Sequence, residues 1–158
     1  MTKKKLLIVA HTPSPNCRSL ANAILAGTQS EQIGSVEAKL LSPFDVDAET
    51  VLDSDAIVLF TTENFGYMSG ALKDFFERIY YPCLEQESRN QAKPFALVIK
   101  AGLDGTGTDI AVHKITKGLQ WKEVQPVTLC HGPFSDSFID DCHTLGLTIA
   151  ASLEAEIL

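Results

Sequence analysis

Five apolar segments, spaced so that a helix fits between most neighbours, constrain this chain more than any other feature. They cover residues 6–10, 36–41, 56–61, 95–100 and 124–129. The first, third and fourth are nearly continuous, as in parallel strands covered on both faces. Between them, residues 19–29 place Leu20, Ile24 and Leu25 at helical spacing. Residues 69–80 do the same with Leu72, Phe75, Phe76, Ile79 and Tyr80. Weaker helical patterns cover 108–117 and 137–156. Alternation of this kind implies right-handed crossovers and a parallel sheet. The predicted fold is therefore α/β, a three-layer α/β/α sandwich of five strands, formed by one domain spanning residues 1–158. The connection 43–55 has room for only one or two helical turns. It predicts a thinly covered sheet face whose exposed apolar surface would suit a homodimer interface.

A chain of 158 residues, 45% of them hydrophobic, buries enough surface to fold without disulfides or a structural metal. Cys17, Cys83, Cys130 and Cys142 are too sparse and irregular for a disulfide framework, so a reducing cytoplasm is the expected setting. Thirteen basic and twenty acidic residues give a formal charge of −7, which argues against nucleic acid or an anionic membrane as partner. No apolar run approaches the roughly 20 residues of a membrane span, and residues 6–10 are too short for a signal-peptide core. The dipeptides Cys130–His131 and Cys142–His143 invite a metal reading. Adjacent side chains diverge on both strands and helices, so no metal site is predicted.

In open parallel sheets, ligands bind at the carboxyl ends of the strands, where strand order reverses. The loop after the first strand, His11-Thr12-Pro13-Ser14-Pro15-Asn16-Cys17-Arg18-Ser19, is dense in small hydroxyls and opens a helix. Unpaired N–H groups and the helix dipole make such a place an anion site, and Arg18 adds charge. An ordinary capped helix would need only one of these hydroxyls. A tyrosine-phosphatase reading fails because Thr12 stands where the nucleophilic cysteine is required. A receiver-domain reading fails because His11-Thr12 and Thr61-Thr62 replace its acidic residues. After the third strand, Phe65, Tyr67 and Met68 offer flat or apolar faces, and Gly66 allows close backbone approach. Lys73, Asp74, Glu77 and Arg78 read as the solvated face of the following helix, in i,i+4 pairs. The fourth strand runs into Gly102-Leu103-Asp104-Gly105-Thr106-Gly107, a glycine-rich turn with exposed donors.

Met68-Ser69-Gly70, Leu72-Lys73, Phe75 and Arg78, with Thr12-Pro13 and Ser19 in the first loop, resemble the flavodoxin-like NAD(P)H-dependent FMN reductases and multimeric flavodoxins. The resemblance implies a flavodoxin-like sheet of order 2-1-3-4-5 with FMN at its carboxyl edge. It places the FMN phosphate among Thr12, Ser14, Asn16, Cys17, Arg18 and Ser19. The isoalloxazine would lie along Thr61, Thr62, Glu63, Asn64, Phe65, Gly66, Tyr67 and Met68, closed off by Gly102, Leu103 and Gly105. Asn64 stands where an aromatic is usual and Thr62 where proline is frequent. An inward Glu63 would set negative charge beside the flavin and lower its midpoint potential. The implied activity is transfer of electrons from NAD(P)H through FMN to a quinone, flavin or similar small acceptor. A carrier flavodoxin without turnover, and a phosphate-ligand module without flavin, are the alternatives.

Overall fold

The computed structural model describes residues 2–158. Strand β1 (Lys4–Ala10) leads into α1 (Pro15–Thr28), and β2 (Val36–Leu41) into a 3-10 turn (Pro43–Asp45) and α2 (Ala48–Leu52). Next come β3 (Ala56–Asn64), β4 (Tyr67–Met68), α3 (Gly70–Leu84), α4 (Glu87–Asn90) and β5 (Pro94–Ala101). The chain ends with α5 (Thr106–Gly118), β6 (Lys122–Glu123), β7 (Thr128–His131) and α6 (Asp136–Glu154). The strands lie in the order β2-β1-β3-β5, and both β6 and β7 pair with β5. Pairing within this sheet is parallel; only β4 runs antiparallel, against β3.

The predicted order 2-1-3-4-5 holds, with the fifth strand divided. β6 lies beside the start of β5 and β7 beside its end, so the edge strand is broken in the middle, and of the expected strand 124–129 only Thr128 and Leu129 are paired while 124–127 form the break. Pro126 explains the break, since it has no N–H to give to a ladder.

Alternation along the strands feeds two apolar layers. Leu7, Val9, Ile57 and Leu59 face α3 and α5, while Leu6, Ile8, Val58 and Phe60 face α1 and α6. Trp121 is buried against Phe76 and Phe95. Its Nε1–H donates to Asn90 Oδ1 at 2.8 Å, and Asn90 Nδ2 donates to the Leu119 carbonyl at 2.9 Å, which gives the short α4 its place. The four cysteines are free and buried. Among the described residues no helix is long and apolar enough to cross a membrane.

The expectation of a thinly covered face holds only in part: Phe44 in the connection is exposed, but the rest of its apolar side chains are not. Val46, Val51 and Leu52 from the 43–55 connection are buried in the α3 layer. Arg78 fixes that connection: Nη1 donates to the Val46 carbonyl at 2.8 Å and Nη2 to the Pro43 carbonyl at 2.7 Å. It also makes the expected i,i+4 pair with Asp74, as Lys73 does with Glu77. Its guanidinium is thus a staple between two elements rather than a purely solvated group.

Helices α1 and α6 meet backbone to backbone. A Cβ on Gly146 would lie 2.0 Å from the Ile24 carbonyl oxygen, and one on Gly27 would lie 2.1 Å from that of His143. Gly146→Ala is expected to destabilise the fold by about 1–3 kcal/mol in chemical denaturation, because neither backbone can yield cheaply. Gly70→Ala, where an added Cβ meets nothing within 4 Å, serves as the neutral control.

His113 supplies a pH-dependent contact. Its Nε2 meets the Glu123 carboxylate and its Nδ1 lies 2.7 Å from Asp109 Oδ1. Partial burial opposes the charged ring, but the Glu123 hydrogen bond and the two carboxylates outweigh it and hold its pKa above the ordinary value. A raised folded-state pKa contributes stability that is complete below the unfolded value, about 6.5, and is lost as pH rises through the folded value. The stability difference between wild type and His113→Gln should therefore be largest near pH 6 and shrink in alkali. A difference that grows with pH would contradict this.

Candidate functional site

Strand order reverses between β1 and β3, so a crevice opens at their carboxyl ends. The His11 N–H donates to the Phe60 carbonyl at 3.1 Å, which fixes the start of the first loop against β3. Ser14 caps α1 from an extended backbone, and its Oγ accepts the Cys17 N–H at 3.2 Å. Pro15 at the first helical position has no N–H, and the exposed Asn16 follows it in the first turn. Ser14, Asn16 and Arg18 are exposed, and Thr12 is half-buried at the same edge. Burial pushes the His11 imidazole pKa below its usual value, so the ring is neutral at pH 7 and Arg18 is the loop's cation.

Two predicted contacts in this loop are differently engaged. The Cys17 side chain is buried in the α1/α6 layer and leaves only its backbone near the loop. The Ser19 hydroxyl donates to the Pro15 carbonyl of its own helix at 3.1 Å.

The second segment is not an open loop. β3 continues three residues past the predicted end, to Asn64, and turns back through Phe65-Gly66 into β4. Glu63 pairs with Met68 and Asn64 with Tyr67. Phe65 has φ 53° and Gly66 φ 72°, the signature of a two-residue turn that matches strand twist. Glycine or asparagine suits both central positions. A phenylalanine there is strained, and its ring is fully exposed. Met68 is buried in the α3 layer. Thr61 is buried as well: its Oγ1 accepts the Ser69 N–H at 3.0 Å and lies 3.2 Å from Ser69 Oγ, which caps α3. Thr62 differs, because its Oγ1 is buried with no hydrogen-bond partner.

Glu63 joins this hairpin to the third loop. Its Oε1 accepts the Leu103 N–H at 2.7 Å and its Oε2 accepts the Gly105 N–H at 2.9 Å. Both carboxylate oxygens are thus engaged by backbone donors, as in an anion nest. The hairpin also touches α5 directly, since a Cβ on Gly107 would lie 2.0 Å from the Gly66 carbonyl oxygen. Asp104 Oδ1 accepts the Thr106 N–H at 3.0 Å, which holds its carboxyl below the usual range. Phe65, Tyr67 and Leu103 are all exposed, so both of the segments that Glu63 joins carry apolar surface.

Two features of this edge were not anticipated from sequence. The Lys100 ammonium donates to the Gly132 carbonyl at 2.7 Å and sits 5.8 Å from the centre of the Phe138 ring. The loop after β7 therefore belongs to the same edge. A lysine closing an otherwise apolar strand was the available signal. The double engagement of Glu63 left no trace in the residue order.

The family model described as NADPH-dependent FMN reductase matches residues 44–132, a stretch that holds the hairpin and the loop latched to it. Solved structures share the fold at low identity. A flavodoxin from the domain Archaea is 22% identical, with a TM-score of 0.75 over 95% of this chain and 99% of that one. A WrbA-like flavodoxin from Agrobacterium tumefaciens is 15% identical, with a TM-score of 0.73 over 98% and 99%. A flavone reductase is 15% identical, with a TM-score of 0.73 over 96% of this chain and 63% of that one. A search of curated protein sequences finds no match.

Removing the latch should be visible at single amides. Glu63→Ala is expected to speed hydrogen exchange at Leu103 and Gly105 by about tenfold or more, since a hydrogen bond to a charged acceptor is worth about 1.5–3 kcal/mol. Glu63→Gln keeps an acceptor and should have a smaller effect. Unchanged exchange in the alanine variant would show that the loop holds itself.

Proposed function

The chain belongs to the family of NADPH-dependent FMN reductases and its cofactor is FMN; from that premise we propose that it carries electrons from NAD(P)H to a quinone, flavin or similar small acceptor. When bound, FMN supplies the two-electron chemistry. The chain's own residues bind, orient and exclude water.

The phosphate end fits the first loop. The Thr12 and Ser14 hydroxyls, the Asn16 amide at the start of α1 and the Arg18 guanidinium form a donor set for an oxyanion. The observation that carries this reading is the Thr62 hydroxyl, buried and unpartnered at the β1/β3 reversal point. An unsatisfied buried hydroxyl costs about 1–3 kcal/mol, and a ligand oxygen placed there removes that cost. The ring end fits the hairpin, where Phe65, Tyr67 and Leu103 offer exposed apolar faces and Asn64, Gly66 and Gly102 offer backbone. Glu63 keeps the third loop in place beneath the ring. Its charge is compensated by two N–H donors, so its pull on the flavin potential is weaker than that of a bare carboxylate. In this reading no side chain at the edge serves as acid or base; rate comes from orientation.

The test is the visible spectrum of the protein after incubation with excess FMN and desalting. Retained flavin bands that NADPH bleaches without oxygen are the expected result. Retained bands that NADPH leaves unchanged would mark a carrier, and a colourless protein would defeat the reading.

The hairpin yields a second expectation. Phe65→Asn should raise the melting temperature of the FMN-free protein by relieving the positive-φ strain, and weaken FMN retention by about tenfold through loss of an aromatic face. Unchanged retention would remove Phe65 from the ring site.

A further inference from the structure

On the other side of the latched loop, between α5 and the broken edge strand, lies a cavity of about 450 Å³ that shares only Gly105 with the cofactor contacts named above. Its wall is apolar: Ile99 from β5, Ile110 from α5, and Val127 and Leu129 from the edge strand. Ile110 and Leu129 are both exposed, although each is large and apolar. The rim carries two carboxylates, Asp104 and Asp109, and the lining includes no lysine or arginine. Asp109 shares its charge with His113, 2.7 Å away. Asp104 accepts the Thr106 N–H and has no salt-bridge partner among the described residues; His131 is the basic side chain that acts on it, so the rim is net negative whenever that imidazole is neutral.

A cavity of this size, with an aliphatic wall under a rim of one sign, selects for apolar area and for charge. A flat ring buries its faces against the aliphatic wall, a positive charge on that ring gains from Asp104, and an anion is repelled. The cavity also adjoins the cofactor loops. Gly105 lines it, and the same residue donates its N–H to Glu63 on the hairpin side. A Cβ on Gly105 would lie 2.8 Å from Leu129 Cδ1, so loop and edge strand are in contact there.

We propose that this cavity binds a planar organic cation, such as an N-alkylated heteroaromatic, one backbone layer from the cofactor loops. It gives the chain a binding site for a cationic rather than an anionic small molecule. Use of that molecule as an electron acceptor rests on the reductase reading; the binding does not.

Methylene blue is the probe, titrated by calorimetry into the FMN-loaded protein, with anthraquinone-2-sulfonate as the anionic counterpart. Saturable one-to-one binding of the cation is expected, with methyl NMR shifts at Ile99, Ile110, Val127 and Leu129. The anion should bind at least about tenfold more weakly, and the preference should fade with added salt. Asp104→Asn keeps an acceptor for the Thr106 N–H and should bring the two probes within about threefold of each other. Leu129→Lys should abolish cation binding. Equal affinity for the two probes, shifts centred elsewhere, or an Asp104→Asn variant that keeps full preference would overturn the site. FMN retained without cation binding defeats this inference alone, whereas cation binding without FMN defeats the flavin reading alone.

Discussion

In β1, β3 and β5 every second side chain enters one apolar layer and the intervening ones enter the other, and neither layer meets water. Double-sided burial leaves the strands no polar face, so polar chemistry is confined to their ends. The reversal of strand order between β1 and β3 then selects the end that opens into a crevice. The hydroxyl-rich first loop, the aromatic hairpin and the glycine-rich third loop are neighbours only because those three strands are adjacent. The close backbone contact at Gly27 and Gly146 serves the same end by seating α1, and with it the first loop, against α6.

Within that edge the chain works mainly through its backbone. Glu63 spends both carboxylate oxygens on N–H groups of the neighbouring loop, so a charge that sequence alone would set against a reduced flavin is held by loop donors. Phe65 runs the other way, an aromatic kept at positive φ and in full contact with water, against both local preferences. Strain and exposure together at one residue are expected where a ligand, rather than stability, dictates the choice. The orphaned Thr62 hydroxyl is a third such departure, on the side of the edge where the first loop begins.

The sheet was legible because continuous apolar runs and helical spacing are strong periodic signals, and β1, β2, β5 and the four long helices lie close to where those signals put them. What escaped was set by contacts between distant segments. Arg78 has the spacing of a surface residue, yet it binds the Pro43 and Val46 carbonyls, and no local pattern encodes that. The hairpin after β3 escaped because Phe-Gly is a poor match to the usual turn pairs, and the edge strand broke at a proline that the apolar run concealed. At the candidate site the loops could be chosen from topology, but the direction of each side chain could not. Cys17 and Met68 turn into the core, and Ser19 bonds to its own helix. Loop position follows from strand order, whereas side-chain direction depends on packing that becomes fixed only in three dimensions.

In the proposed function one ligand spans the first loop and the hairpin. Amide-resolved NMR of the protein with and without FMN tests it most directly. Simultaneous shifts are expected at Thr12, Ser14 and Asn16, at Thr62, and at Phe65 to Tyr67 and Gly102, saturating at one FMN per chain. Shifts confined to a single loop, or centred away from the carboxyl edge, would contradict it.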